Sequence, residues 1–196
     1  MPIVHRRGHQ TGEPIDSPAY VDANFLVCYA VGSQQAPNAQ IVARNVMGDL
    51  LAQGVTILIS LVTVEEAWWA TLHELYCRHI WQPPSPDEPC PFNRRIAKQS
   101  WHQLMHYRND LKWIVECLQE LRDKGADIRF VPEVEKSFDV CQNAPDYMET
   151  HSLLSADALH LSLALSQATT LITFDVHDFQ SVIDPSRDLT ILLLPS

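Results

Sequence analysis

Apolar residues fall along this chain in two alternating textures. Short, nearly unbroken apolar runs occur in "AYVD", "VTILIS", "DIRFV", "TTLITF" and "LTILLL". Runs of this length without polar alternation predict strands buried on both faces. The segments between them carry a helical period. "NFLVCYAV" predicts a short helix, with Asn24 as a candidate cap. In "PNAQIVARNVMGDLLAQG", Ile41, Val42, Val46, Leu50 and Leu51 recur near 3.6 residues, and Gly54 ends the pattern. "TVEEAWWATLHELY" opens a longer helix in which Thr63 and Glu66 have capping-box spacing. From Asn93 to Lys124 the period predicts one long helix, with Trp101, Leu104, Met105, Leu111, Ile114, Val115, Leu118 and Leu121 on its apolar side. "EVEKSFDVCQ" predicts a short helix. "SADALHLSLALSQA" reads both ways, because its leucines alternate at 159, 161, 163 and 165. It has no β-branched residue and is rich in Leu and Ala, so a helix is predicted, with Ser155 as its cap.

Strands that alternate with helices in this order imply an α/β fold. The expectation is a three-layer α/β/α sandwich around a central, mostly parallel sheet of about five strands. In such sheets ligands bind beyond the carboxyl ends of the strands. A length of 196 residues suits one domain. Residues 1–17 are expected to form a flexible tail and residues 18–196 the domain. That domain carries a proline-rich loop, "QPPSPDEPCPF", and the extended helix as an excursion at about 81–124.

Composition narrows the class without deciding it. With 46% hydrophobic and 19% charged residues the chain reads as globular rather than disordered. No apolar run approaches the ~20 residues of a spanning helix, and the first residues lack the apolar core of a signal peptide. Five cysteines without a C-x-x-C pair imply reduced thiols and a cytoplasmic setting. His73, Cys77, His79 and Cys90 match no established zinc spacing. The net charge of −10 argues against simple electrostatic binding of nucleic acid, so any such site must be local or bridged by cations.

The acids then become the informative residues. Asp157 lies among leucines and alanines, where an uncompensated carboxylate costs on the order of several kcal/mol. Asp22 ends the first predicted strand, Asp175 ends the fourth, and Asp178 follows three residues later. Glu66 lies one turn into the helix after the second strand. Each has a local explanation as a cap or turn former. Strand ends and helix starts on one side of a parallel sheet share an edge, however, so the acids can converge. Crowded carboxylates repel one another unless a cation lies among them, and oxygen-only ligands suit Mg²⁺ or Mn²⁺.

Four blocks carry a resemblance: "YVDANFL", "SLVTVEE", "SADALHLSLAL" and "LITFDVHDF", in this order. Together they resemble the PIN-domain ribonucleases, in particular toxins of type II toxin–antitoxin systems. The resemblance implies a metal-dependent endoribonuclease using Mg²⁺ or Mn²⁺. By motif, Asp22, Glu66, Asp157 and Asp175 are the catalytic and metal-site acids, with Asp178 as a peripheral ligand. Asn24 and Thr173 line the site. Six residues from Ser60 to the acid select Glu66 over Glu65. The resemblance further implies an RNA substrate, an antitoxin protein as partner and a homodimer, with no membrane association. His160 and His177 adjoin the site and are read as supporting or structural. Arg94, Arg95 and Lys98, among interleaved aromatics, are candidates for RNA phosphate contact, against the plainer reading of a solvated basic face. Trp68 and Trp69 are read as core or interface residues. The rival readings are a non-catalytic PIN-fold interaction module and a metal-dependent phosphohydrolase acting on DNA or a small phosphate ester. A phosphorylation-receiver domain lacks its acid pair and its late lysine here.

Overall fold

A computed structural model describes residues 2–32, 36–85, 88–131, 137–184 and 186–195. Six strands form one sheet: β1 (Val4–Arg7), β2 (Ala19–Val21), β3 (Ile57–Ser60), β4 (Ile128–Val131), β5 (Thr170–Thr173) and β6 (Thr190–Leu193), in the order β1-β6-β5-β2-β3-β4. Every pairing is parallel. The helices are α1 (Ala23–Ala30), α2 (Pro37–Ala52), α3 (Leu61–His79), α4 (Arg94–Gln99), α5 (Trp101–Leu104), α6 (Arg108–Asp123), α7 (Ser137–His151), α8 (Ser155–Gln167) and α9 (Val176–Phe179).

The strands divide their side chains between two cores. Ala19, Val21, Ile57, Ile59, Ile172 and Leu192 pack with α1, α2 and α6 on one face. Tyr20, Leu58, Leu171, Ile191 and Leu193 pack with α7 and α8 on the other. This period-2 division between two buried faces is why the strands read as continuous apolar runs. The three-layer α/β/α expectation is met, with six strands and no antiparallel pairing among the described residues.

The chain leaves β2 toward β3 on one side, returns later as β5 on β2's other flank, and then continues outward to β6. Connections that diverge from adjacent parallel strands open a crevice at their carboxyl ends. That crevice lies beyond Val21 and Thr173.

Several local expectations are corrected. The segment expected to be a flexible tail contains β1, which pairs with β6 in register from Val4↔Thr190 to Arg7↔Leu193. Its sequence, "VHRR", has one apolar residue, so backbone pairing and not burial makes it a strand. The link to β2 is tied to α2. His9 Nε2 is 2.7 Å from Asp49 Oδ2, Gly12 N–H donates to the same oxygen at 2.9 Å, and Ile15 N–H donates to Gln53 Oε1 at 2.9 Å.

The helix expected from Asn93 to Lys124 is broken into α4, α5, a 3₁₀ turn at Met105–Tyr107, and α6. A straight helix of that length would span roughly 48 Å and leave the domain. The breaks instead let Leu104 bury beside Leu72 and Leu75 of α3. Cys77 and Cys90, expected as free thiols, form a disulfide with Cα atoms 5.9 Å apart. Their approach comes from the loop folding back, with Phe92 packed against Trp69, His73 and Tyr76, a tertiary fact that sequence spacing does not carry. Of the short helix expected in "EVEKSFDVCQ", residues 132–136 lie outside the described residues, and α7 runs on to His151. Among the described residues no helix is long and apolar enough to cross a membrane.

Asp49→Ala removes the acceptor that holds both His9 and Gly12. The expected outcome is a loss of about 1–3 kcal/mol in denaturant unfolding. Amide exchange should also accelerate at Gly8, whose N–H bonds the Leu193 carbonyl at 2.8 Å. Unchanged exchange at Gly8 would show that strand pairing alone fixes the segment.

Candidate functional site

The carboxyl ends of β2, β3 and β5 deliver three side chains to one rim. Asp22 follows β2 and caps α1, its Oδ1 accepting from Phe25 N–H at 2.8 Å. Its Oδ2 accepts from the hydroxyl of Thr173, the last residue of β5. The Thr173 hydroxyl in turn accepts from Asp175 N–H at 2.8 Å. Asp175 caps α9, with Asp178 N–H 3.1 Å from its Oδ1. Ser60 ends β3 and caps α3 in a capping box with Thr63, which places Glu66 one turn further along.

The true caps differ from the sequence expectation at three places. Asp22, not Asn24, caps α1. Ser60 with Thr63, not Thr63 with Glu66, forms the box on α3. At α8 the cap position is Leu154, with no side-chain bond, and Ser155 is the first helical residue. At α1 and α3 the acid or hydroxyl at the strand end bonds an orphan N–H group of the helix that follows, whereas α8 starts without a side-chain cap.

Asp157 enters from α8 on the opposite layer. Asp157, Asp175 and Asp178 each offer a carboxylate oxygen, and these oxygens all lie within 4.8 Å of one another. Burial pushes the Asp157 carboxyl up to about 6, helped by the charges of Asp175, Asp178 and Glu66. Burial likewise raises Asp22 to about 6, against the pull of its bonds from Thr173 and Phe25, and Asp175 adds repulsion. Asp175 is also raised, first by burial. These mutual effects tie Asp22, Glu66, Asp157, Asp175 and Asp178 into one electrostatic cluster. The neighbours that oppose the repulsion are imidazoles, His160 beside Asp22 and Asp157 and His177 beside Asp175. Neither is a fixed cation.

Glu66 is half-buried and its Oε2 lies 2.5 Å from His160 Nε2, whereas Glu65 is exposed. His160 is 2% exposed, and its Nδ1 lies 2.6 Å from the Tyr20 hydroxyl. Tyr20 does not stand out in the sequence, where it reads as a strand residue, and Ser60 enters there only as the start of the "SLVTVEE" block. The signal available was the histidine three residues after Asp157. His177 is almost fully exposed and bonds Asp178 at 2.9 Å.

Asn24 lines a cavity of about 360 Å³ with Cys28, His73, Glu74, Phe174 and Asp175, adjoining the acids. Arg94, Arg95 and Lys98 are exposed on α4, and no described contact links them to the acid rim. Trp68 and Trp69, expected as core or interface residues, are 41% and 37% exposed and so are not core residues. Trp68 lines an apolar groove with Leu72, Trp101, Leu111 and Val115, bordered by Arg108 and Lys112.

Comparison with known proteins adds the following. The family model described as PIN domain matches residues 19–183. No curated protein sequence matches the chain. Among solved structures, a chain of VapBC2 from Rickettsia felis bound to a DNA fragment from their promoter is similar. The match covers 91% of this chain and 98% of that one, at 16% identity and a TM-score of 0.46.

Raised carboxyls have a defined consequence for the metal-free protein. A folded pKa of about 6 against an ordinary 3.8 means that Asp22 favours folding when protonated. That contribution is complete below pH 3.8 and is lost as pH rises through about 6. With chelator present, the wild-type melting temperature should therefore fall between pH 5 and 7. Asp22→Asn, which keeps an oxygen to cap α1, should flatten this fall and gain up to about 3 kcal/mol at pH 7. A variant whose melting temperature drops in parallel with wild type would refute the assignment of the raised carboxyl to Asp22.

Proposed function

This chain belongs to the PIN domain family, and on that premise we propose that it is a divalent-metal-dependent nuclease that hydrolyses phosphodiester bonds in RNA. The observation that carries the proposal is the trio of carboxylate oxygens from Asp157, Asp175 and Asp178 within 4.8 Å of one another, beside the buried Asp22. Such a site has only oxygen donors and no fixed positive charge from its described neighbours, which fits a hard dication, Mg²⁺ or Mn²⁺. Asp22, Glu66, Asp157 and Asp175 would hold it, with Asp178 at the outer side. A dication bound there lowers the pKa of a coordinated water and stabilises charge on phosphoryl oxygens.

The remaining work belongs to the chain itself. The Thr173 hydroxyl and the Phe25 N–H of α1 fix both oxygens of Asp22, each of which keeps a further lone pair for a cation. Asp175 is held by the Asp178 amide, and Asp157 by its place in the first turn of α8. The acids are thereby oriented before substrate arrives, which is the economical form of electrostatic catalysis. Asn24 and Thr173 border the crevice in which a phosphodiester would lie. Arg94, Arg95 and Lys98 supply exposed positive charge that an otherwise acidic chain needs to hold a polyanion. The four motif blocks make a toxin role, with a protein antitoxin as partner, part of the same proposal.

Asp157→Asn and Asp175→Asn should each reduce Mn²⁺-dependent cleavage of single-stranded RNA by about 10²-fold or more, with matched DNA assayed alongside. Full activity in either variant removes that residue from the site. DNA cleavage at an equal rate would favour the broader phosphohydrolase reading, and no cleavage of any substrate by wild type the non-catalytic one.

Changing Arg94, Arg95 and Lys98 together to Ala should raise KM for RNA and lower the slope of log affinity against log salt by about 1–3. An unchanged slope would leave the basic face merely solvated.

A further inference from the structure

Beneath the acid rim lies a buried polar chain that metal binding by carboxylates does not explain. The Tyr20 hydroxyl, at the centre of the sheet, is 2.8 Å from Ser60 Oγ, 2.9 Å from Thr63 Oγ1 and 2.6 Å from His160 Nδ1. His160 continues outward, its Nε2 2.5 Å from Glu66 Oε2. Tyr20 and Thr63 are fully buried, Ser60 is 1% exposed and His160 2% exposed. The chain thus runs from the middle of β2, through a histidine on α8, to an acid on α3. Resting on the metal-site reading above, we propose that Tyr20 and His160 form a positioning relay. It locks the imidazole tautomer and presents the Glu66 carboxylate to the bound dication.

Proton accounting supports one arrangement. The Tyr20 side chain is a phenol, fully buried among two hydroxyls and a ring nitrogen, and a phenol ordinarily carries its proton at neutral pH. Ser60 and Thr63 carry their own hydroxyl protons and can donate to the phenol oxygen. Nδ1 of a neutral imidazole can accept the phenol proton, which leaves the ring hydrogen on Nε2. A carboxylate has no proton to give, so Nε2–H is the donor toward Glu66. His160 engages Oε2, and among the described residues no hydrogen bond is made to the other oxygen of Glu66, which leaves it open to a cation. Ligands to metals are commonly oriented in this way by a hydrogen-bonded neighbour.

The relay also couples elements. Ser60 and Thr63 are the residues that cap α3, so the hydroxyls that start this helix also anchor Tyr20. His160 lies one turn after Asp157 on α8. One imidazole therefore fixes the α3 acid relative to the helix that bears the α8 acid. A histidine serving only the core would not require an acid on its outer nitrogen.

The test is calorimetric titration of the full chain with Mn²⁺ at pH 7. His160→Leu should weaken Mn²⁺ binding about 10- to 100-fold. His160→Gln, whose amide nitrogen reaches the Nε2 position, should stay within a few-fold of wild type. His160→Asn, which reaches the Nδ1 position and not Glu66, should fall with the leucine variant and carries the test if that variant does not fold. In a Glu66→Gln background, His160→Leu should add no further loss, because the histidine acts through Glu66. Wild-type affinity in both His160→Leu and His160→Asn, or losses that add in full with Glu66→Gln, would overturn the relay while leaving the metal site standing. Wild type that takes up no Mn²⁺ would overturn both.

Discussion

Repulsion among carboxylates is the constraint around which this fold is arranged. Several acids raise one another's pKa at a single rim, and the rest of the structure makes that crowding tolerable. Burial alone would neutralise Asp22, yet two donors, Phe25 N–H and the Thr173 hydroxyl, favour its ionised form. Asp175 receives the Asp178 amide for the same reason. Helix starts thus serve twice: they satisfy orphan N–H groups and they hold charge in place.

The parallel sheet makes the crowding possible. Because every pairing is parallel, the ends of β2, β3 and β5 face one side, and each is followed within one or two residues by a helix. The reversal of strand order between β2 and β5 leaves the space above Val21 and Thr173 uncovered. Asp157 reaches that space from α8, which packs against the opposite face from α1. The site is therefore assembled from both helical layers, and a shift of either layer across the sheet would separate the acids.

The central elements were legible in the sequence because one cause acted on each. An apolar run buried on both faces can be little else than a central strand, and β2, β3, β5 and β6 followed that rule. The acids were legible as positions at strand ends and helix starts that share one edge, though not in their distances from one another. What escaped was set by tertiary contact. "VHRR" becomes a strand only because β6 offers an edge. Ser100 and Tyr107 interrupt a convincing helical period because Leu104 must reach Leu72 and Leu75. Cys77 and Cys90 meet where the chain folds back and Phe92 packs on α3. The caps were misassigned by a few residues for a related reason. Asn24 and Ser155 have good capping chemistry, but each lies inside its helix, whose cap position is Asp22 in one case and Leu154, without a side-chain bond, in the other.

His160 shows how far such reading can go. In sequence it is a polar residue on an apolar helix, and burial with a satisfied ring would account for it. The structure gives it two distinct partners, a phenol on the inner nitrogen and a carboxylate on the outer one. A buried polar group needs its bonds made, and one partner on each nitrogen meets that need. Their identities go further. A phenol that keeps its proton can fix which nitrogen carries the hydrogen, and a carboxylate at the rim is where that fixed hydrogen has an effect. Replacing the pair by apolar residues of similar size could leave the core as stable, since buried polar networks often add little net stability. What such a replacement would lose is the direction in which Glu66 points.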